Sequence, residues 1–474
     1  MIIGREKEQR ELLSLLDKEN PQFCAVYGRR RVGKTYLIRE TFNYQFCFQH
    51  TGVAKGTLRQ QLTAFRNSLV AAGMACAIPQ TWIEAFELLK KLIIQAPTGK
   101  KVIFIDELPW MDTPRGNLIG ALENFWNGWA TARREKDIIL IVCGSATSWI
   151  SKKLLKDKGG LRGRLTNRIK LVPFTLRECE HFAKSANLAL ERKDILELYM
   201  ILGGIPYYWS FLKKGLSVAQ NVDQLFFSDT AQLRDEFEAL YAILFKRPGN
   251  YLHVIECMSN GKKSGMTREE ILNTSKLSDG GTFSTILDEL EECGFIRRFA
   301  SADTAETKAI YQLIDNYTLF YYHCVKKNAF SDEHYWSNTY TSTSHNVWRG
   351  LAFERVCLQH IPQIKAALGI SGVQTNVCSW YARSTSEYRG AQIDLVMQRS
   401  DGFTDLCEIK YSTNDFTIDK DYAKELQNKF HAYQSLSKDR RTLHLVMITT
   451  NGVSHNSHYN MVQNEITQDN LFAI

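Results

Sequence analysis

Eight consecutive residues, Gly28-Arg29-Arg30-Arg31-Val32-Gly33-Lys34-Thr35, have the types and spacing to hold a polyphosphate. The pattern G-x-x-x-x-G-K-[ST] puts glycines where backbone N–H groups must close around an anion. An apolar run, Phe23-Cys24-Ala25-Val26-Tyr27, precedes it, and a helical pattern from Tyr36 to Glu40 follows. The N-terminus of that helix adds partial positive charge. Lys34 would reach β- and γ-phosphates, and Thr35 would hold Mg²⁺. A basic turn that matched the spacing by chance would lack the flanking strand and helix.

A second acidic site follows the apolar run Val102-Ile103-Phe104-Ile105, at Asp106-Glu107. Such a run suits a parallel strand buried on both faces. Asp106 at its end would hold Mg²⁺, directly or through water, and Glu107 would polarise an attacking water. Ligands of open α/β sheets bind at the strands' C-terminal ends, where these groups would meet the loop. A third run, Ile138 to Cys143, ends in Gly144-Ser145. Ser145 reads either as a sensor between the acids and the γ-phosphate or as a strand cap. Arg164, in Gly160-Leu161-Arg162-Gly163-Arg164, reads as an arginine that neutralises γ-phosphate charge in its own or a neighbouring subunit, or as part of a solvated loop.

The C-terminal part holds a separate set. Gly390 to Met397 reads as a strand with Asp394 near its start, and Phe403 to Lys410 as its partner, ending Glu408-Ile409-Lys410. Neighbouring strands would bring Asp394 and Glu408 together on Mg²⁺ or Mn²⁺, with the Ile409 carbonyl as a further oxygen ligand. Strand alternation turns Glu408 and Lys410 to one side. Lys410 could orient an attacking water or neutralise charge on a phosphorane. The alternative is a surface Glu–Lys pair on an edge strand.

The elements that must position these sets can be read in order. Leu12, Leu13, Leu15 and Leu16 suggest an amphipathic helix ahead of the loop. Residues 175–246 are helical in pattern, broken at Gly203-Gly204-Ile205-Pro206. Three helices follow, the second opened by the capping box Thr267-Arg268-Glu269-Glu270, and a hairpin at Phe295–Phe299 and Ala309–Ile314 completes a winged helix. Its would-be recognition helix carries Asp288, Glu289, Glu291 and Glu292, which phosphates would repel. The basic residues Lys262, Lys263, Arg268, Arg297 and Arg298 lie outside it, so a structural or protein-contact role is favoured. Asp315 to Lys327, with Tyr317, Phe320, Tyr321 and Tyr322, reads as a core helix, and 328–346 as a polar linker. Trp348 to Val356 starts another helix, Tyr422 to Leu436 a further one in which Gln427 could approach the acids, and Leu443 to Thr449 a last strand.

Composition sets outer limits. The chain has 474 residues, 44% hydrophobic, enough for two to four domains. No apolar run approaches ~20 residues, so no transmembrane helix and no membrane partner are expected. The first residues lack the shape of a signal peptide. Eleven dispersed cysteines without a C-x-x-C pair read as reduced thiols in a cytoplasmic protein and argue against a zinc site. A net charge of +8 permits a nucleic-acid partner without requiring one.

Gly4-Arg5-Glu6, the loop, Asp106-Glu107, Ser145, Gly163-Arg164 with Pro173-Phe174, and Gly204-Ile205-Pro206 stand in an order that resembles the archaeal-type P-loop ATPases, near the AAA+ and signal-transducing (STAND) ATPases. The resemblance covers roughly the first half of the chain. It implies that 28–35 is a Walker A loop for ATP, that Arg5 lies by the adenine, and that Pro206 belongs to a helical lid closing over the nucleotide. Asp394 with Glu408-Ile409-Lys410 is similar to the core of the PD-(D/E)xK nucleases. Over about 130 residues the order of helices and strands resembles the restriction-endonuclease-like fold, nearest the archaeal Holliday-junction resolvases and Mrr-type enzymes. That resemblance implies that a helix glutamate, Glu354, is exposed to complete the acidic cluster. No Pro precedes Asp394, unlike some members.

The expected architecture is therefore α/β: a P-loop ATPase core at 1–175, a helical lid at 176–246, a winged helix at 247–318, a helix and linker at 319–346, and a nuclease-like domain at 347–474. The expected function is an ATPase coupled to a Mg²⁺-dependent DNA nuclease, in DNA processing or defence, with DNA as partner and a homo-oligomer as assembly. The alternatives are a non-cutting DNA-binding or signalling ATPase with an inactive nuclease fold, and a protein-remodelling ATPase.

Overall fold

The computed structural model describes residues 2–155, 159–260, 265–299, 309–328, 332–382, 384 and 389–473. Lys262 and Lys263 lie outside them. The chain divides into two compact units, Met1–Pro173 and Phe174–Ile474.

The first unit is built on five parallel strands: β1 (Gln22–Tyr27), β2 (Phe48–Thr51), β3 (Lys101–Asp106), β4 (Ile138–Gly144) and β5 (Asn167–Lys170). They lie in the order β2-β3-β4-β1-β5. The apolar runs read from the sequence are β1, β3 and β4, and β3 and β4 are buried at every residue. Continuous apolar strands of this kind need cover on both faces. One face packs on an aromatic layer that includes Phe65, Trp82, Phe86, Phe125 and Trp126. The helix Glu6–Leu13 buries Leu12 and the turn after it buries Leu15, but Leu13 is 44% and Leu16 37% exposed. The stripe is narrower than the four leucines suggest, because successive helical residues turn by about 100°.

The second unit begins with five helices, Leu176–Ser185, Arg192–Leu202, Pro206–Trp209, Val218–Phe226 and Gln232–Leu244. Gly204 is required here, because a Cβ would lie 1.9 Å from the Phe174 carbonyl oxygen. The Phe174 N–H donates to the Gly204 carbonyl at 2.6 Å. Pro206 takes the first position of its short helix, where a missing N–H costs nothing. Helices Pro248–Ser259, Arg268–Ser275 and Gly281–Glu292 follow, with the capping box formed between Thr267 and Glu270. Strands β6 (Met266–Thr267), β7 (Ile296–Phe299) and β8 (Ile310–Leu313) make an antiparallel sheet in the order β6-β8-β7.

Residues 328–346, expected to be a linker, include a docked helix. Tyr335–Thr339 is helical and Trp336 is 0% exposed, stacked on His345 and set edge-on to Phe320 and Trp348. The buried Asp223 carboxylate accepts from the Trp336 N–H at 2.8 Å and from Ser337. Polar composition concealed one large anchor. The long helix Thr343–Gln359 is tied to Arg192–Leu202 by the buried pair Arg349–Glu197 at 3.2 Å, to which Tyr340 donates at 2.6 Å.

The last sheet runs β13-β12-β11-β10-β9, with β9 (Thr375–Ala382), β10 (Ala391–Arg399), β11 (Phe403–Lys410), β12 (Thr442–Thr449) and β13 (Asn464–Ile466). β10 is antiparallel to β9 and β11, whereas β11, β12 and β13 are parallel. The helix Lys420–Leu436 forms the crossover between β11 and β12, as a parallel pair requires. Among the described residues, no helix is long and apolar enough to cross a membrane.

Candidate functional site

The loop after β1 has the backbone its sequence demands. Gly28 has φ 147°, and a Cβ there would meet the Leu171 carbonyl oxygen at 2.1 Å. Gly33, at φ 89°, precedes the helix Lys34–Thr41. Arg31 adopts φ 72°, an uncommon conformation for a residue with a side chain. Lys34 is buried, and its ammonium donates to the carbonyls of Gly28 at 3.0 Å and Arg29 at 2.9 Å. Burial pulls its pKa down, and Glu107 and Asp106 oppose that shift. Val32 and Arg29 are buried, while Arg30 is close enough to act on Lys34.

Strand order then brings the acids to the loop. Thr35 Oγ1 donates to Asp106 Oδ2 at 2.8 Å. Glu107 turns out of β3 with φ 47°, and its Oε2 accepts from the N–H and Oγ of Ser145 at 3.2 and 3.1 Å. Left-handed backbone is uncommon for a residue with a side chain. Lys34, Thr35, Asp106, Glu107 and Ser145 thus form one contact set at the C-terminal ends of β1, β3 and β4.

One member was not read from the sequence. Cys143 Sγ donates to Asp106 Oδ1 at 2.6 Å. Burial, then Asp106, push its thiol well up, so it stays protonated and can donate. Its place at the end of a strand adjacent to β3 was the available signal. Arg5 lies near the loop's entry: its guanidinium donates to the Val172 carbonyl at 2.6 Å, next to the Leu171 that closes on Gly28. Arg164 sits on an exposed turn outside the contact set. Pro206 belongs to the second compact unit.

In the second unit, β10 and β11 pair Leu395 with Cys407 and Val396 with Leu406. One more step of that register sets Asp394 opposite Glu408. The β9–β10 pairing is irregular between Ile393 and Val396, around Asp394. Asp394 Oδ2 accepts from the Ile409 N–H at 3.4 Å. Glu408 is 2% exposed; its Oε2 accepts from Lys429 Nζ at 2.8 Å and Tyr422 OH at 3.0 Å, with Lys410 Nζ at 3.7 Å. Its Oε1 is buried with no hydrogen-bond partner. Burial, then Asp394, raise the Glu408 pKa, against Lys429 and Lys410.

Two expectations change here. Glu354 is 7% exposed rather than displayed, and its carboxylate pairs with Arg355 at 2.6 Å. It shares surroundings with Asp394, since both act on the buried Cys357 thiol, but Arg355 already neutralises it. Among the described residues, no group of three or more His, Cys, Asp and Glu could hold a metal ion. Gln427 is exposed; Tyr422 and Lys429, seven residues apart on one helical face, approach the acids instead. That i, i+7 spacing was visible in the sequence.

Residues 2–211 match the model of a family described as an ATPase domain predominantly from Archaea. An archaeal-type ATPase domain thus occupies the N-terminal part of the chain. An uncharacterized protein of Methanocaldococcus jannaschii is 26% identical over 411 residues, 84% of each chain. Among solved structures, a Walker-type ATPase of Pyrococcus abyssi aligns with TM-score 0.47 and 17% identity, over 68% of this chain and 96% of its own. The ORC2 protein of Aeropyrum pernix aligns with TM-score 0.41 and 14% identity, over 68% and 92%.

Proposed function

We propose that the protein binds and hydrolyses ATP in its first unit and that its second unit is a metal-dependent DNA nuclease under ATP control. The observation that carries the ATPase is the contact set of Lys34, Thr35, Asp106, Glu107 and Ser145. The residues fit the group: a ring of loop N–H groups, a buried ammonium and a hydroxyl–carboxylate pair suit a triphosphate with Mg²⁺. Thr35 and Asp106 would hold that ion, which neutralises charge on the β- and γ-phosphates when bound. Lys34 exchanges its two carbonyl acceptors for phosphate oxygens. Glu107 orients the attacking water and takes its proton, and Ser145 fixes the angle of that carboxylate. Arg164, exposed on its turn, serves a γ-phosphate of its own chain or of a neighbour in a homo-oligomer. Roles for Arg5 at the adenine and Pro206 in a closing lid rest on the family resemblance.

For the nuclease, support comes from the β10–β11 register and from Glu408 Oε1, a buried carboxyl oxygen without a hydrogen-bond partner. Such an atom fits a cation ligand, because leaving a charged group unsatisfied is costly. Asp394, Glu408 and the Ile409 carbonyl would hold Mg²⁺ or Mn²⁺, which would activate a water for phosphodiester hydrolysis. Lys410 would neutralise charge on the attacked phosphate. The three-helix segment with β6, β7 and β8 fits a winged helix that contacts protein.

A second reading, a non-cutting DNA-binding or signalling ATPase, is favoured by the Glu354–Arg355 pair, which leaves Asp394 and Glu408 as two acids rather than three for a cation. The deciding experiment is cleavage of linear, supercoiled and branched DNA with Mg²⁺ or Mn²⁺, with and without ATP, beside Lys34→Ala and Asp394→Ala. The expected result is cleavage abolished by Asp394→Ala and uncoupled from ATP by Lys34→Ala. ATP hydrolysis without cleavage of any substrate would establish the second reading.

A further inference from the structure

We infer that Lys429 is a positioning residue that holds one oxygen of Glu408, so that the other faces the metal and Lys410 is left for the substrate phosphate. The inference rests on the nuclease reading of this cleft and assigns its two lysines different tasks.

Lys429 lies on the helix Lys420–Leu436 and is itself largely buried, with its side chain 11% exposed. Its ammonium bridges Glu408 Oε2 at 2.8 Å and Glu425 Oε1 at 3.2 Å. Tyr422, about two turns earlier on the same helical face, donates to the same Oε2. Both holders therefore act on one oxygen and leave Oε1 alone. A carboxylate gripped this way cannot rotate, and it can offer a cation one oxygen rather than two.

Lys410 stands differently. Its side chain is 30% exposed, its ammonium is 3.7 Å from Glu408 Oε2, and it lies 5.0 Å from the centre of the Tyr422 ring. The ring supports a cation without neutralising it. With Oε2 already taken, Lys410 does not collapse onto Glu408, and its donors remain for an anionic phosphate. Without Lys429 the nearest cation able to replace it is Lys410, which would be drawn out of the substrate cleft.

The test uses the full chain and two readouts. Free Mn²⁺ is followed by electron paramagnetic resonance, with Asp394→Ala identifying binding at this site, and DNA cleavage is measured at saturating Mn²⁺. Lys429→Met is expected to weaken Asp394-dependent Mn²⁺ binding by about threefold or more, because Glu408 is no longer held with one oxygen toward the cation. Cleavage should fall about tenfold or more as Lys410 is recaptured. Lys429→Arg should restore both. Tighter or unchanged Mn²⁺ binding in Lys429→Met, or unchanged cleavage, overturns the inference. Should Lys429→Met fail to fold by circular dichroism, Tyr422→Phe keeps the ring and removes one holder; weaker Mn²⁺ binding supports the assignment, and a tighter or unshifted affinity overturns it. Wild-type protein that binds Mn²⁺ through Asp394 yet cuts no DNA removes the nuclease reading only, and the Mn²⁺ shift still decides the role of Lys429. Wild-type protein without Asp394-dependent Mn²⁺ binding overturns both.

Discussion

Each compact unit carries an acid pair and a lysine at strand ends, but the two sites are assembled in opposite ways. In the first, Asp106 and Glu107 are neighbours in sequence, and a left-handed residue turns the second acid away from the first. Its lysine lies in a loop whose eight residues are contiguous. In the second, Asp394 and Glu408 come from antiparallel strands and meet only through register, and the cation that grips Glu408 comes from a separate helix. A site made from contiguous residues declares itself by spacing; a site made by register shows its strands and hides its supports.

The sharpest way to test this contrast is Glu107→Gln, which keeps the Ser145 contact geometry but removes the base. ATP hydrolysis should fall by about 10²–10⁴-fold with nucleotide binding retained, measured by phosphate release and by equilibrium titration. Retained hydrolysis would make the contact set structural.

A stability comparison comes next. Trp82 in the first unit and Trp336 in the second are both fully buried, although only the former lies in a segment of obvious apolar pattern. Trp336→Ala should cost about 3–5 kcal/mol, as a core tryptophan does, measured by denaturant unfolding. A loss below about 1 kcal/mol would return 328–346 to the status of a linker.

Acid offers a third comparison, because each unit buries neutral histidine: His50 in the first, and His345 and His360 in the second. Burial lowers the pKa of His50 and of His360 from 6.5 to about 4. His360 Nε2 accepts from the Leu176 N–H at 3.1 Å, and His50 Nδ1 pairs with Ser68 at 2.9 Å. Between these values the unfolded chain binds more protons than the folded one. The stability is therefore complete above pH 6.5 and declines as pH falls toward 4, by about 1.4 kcal/mol per unit for each histidine. His360→Gln should reduce that dependence in the second unit, where His345 keeps its share, and spare it in the first, as calorimetry at several pH values would read. The smallest effect is expected for Ser145→Ala, which removes one hydrogen bond to Glu107, about 0.5–1.5 kcal/mol or a several-fold loss in hydrolysis rate.

How much the sequence revealed follows the same physics. The loop, β1, β3 and β4 were legible because a parallel sheet covered on both faces imposes unbroken apolar runs. The capping box at Thr267 and the strands bearing Asp394 and Glu408 were legible from local chemistry and alternation. β13 was too short, at three residues, to leave a pattern. Cys143 looked like one more core residue, and Trp336 was concealed among Ser, Thr and Asn. Glu354 was expected outside because the nuclease resemblance asks for a helix glutamate in the acidic cluster, but the adjacent Arg355 neutralises it inside.

The order β2-β3-β4-β1-β5 also bears on synthesis at the ribosome. β1 finds its two neighbours in β4 and β5, the latter ending at Lys170. The strand that carries the phosphate loop therefore emerges long before either flank exists. At about 5–20 residues per second, the roughly 120 residues from the end of β1 at Tyr27 to the end of β4 at Gly144 take some 6–24 s to appear. During that interval the nascent chain presents an apolar strand with two unpaired edges, a state on which holding factors act and in which nucleotide has no formed loop to bind.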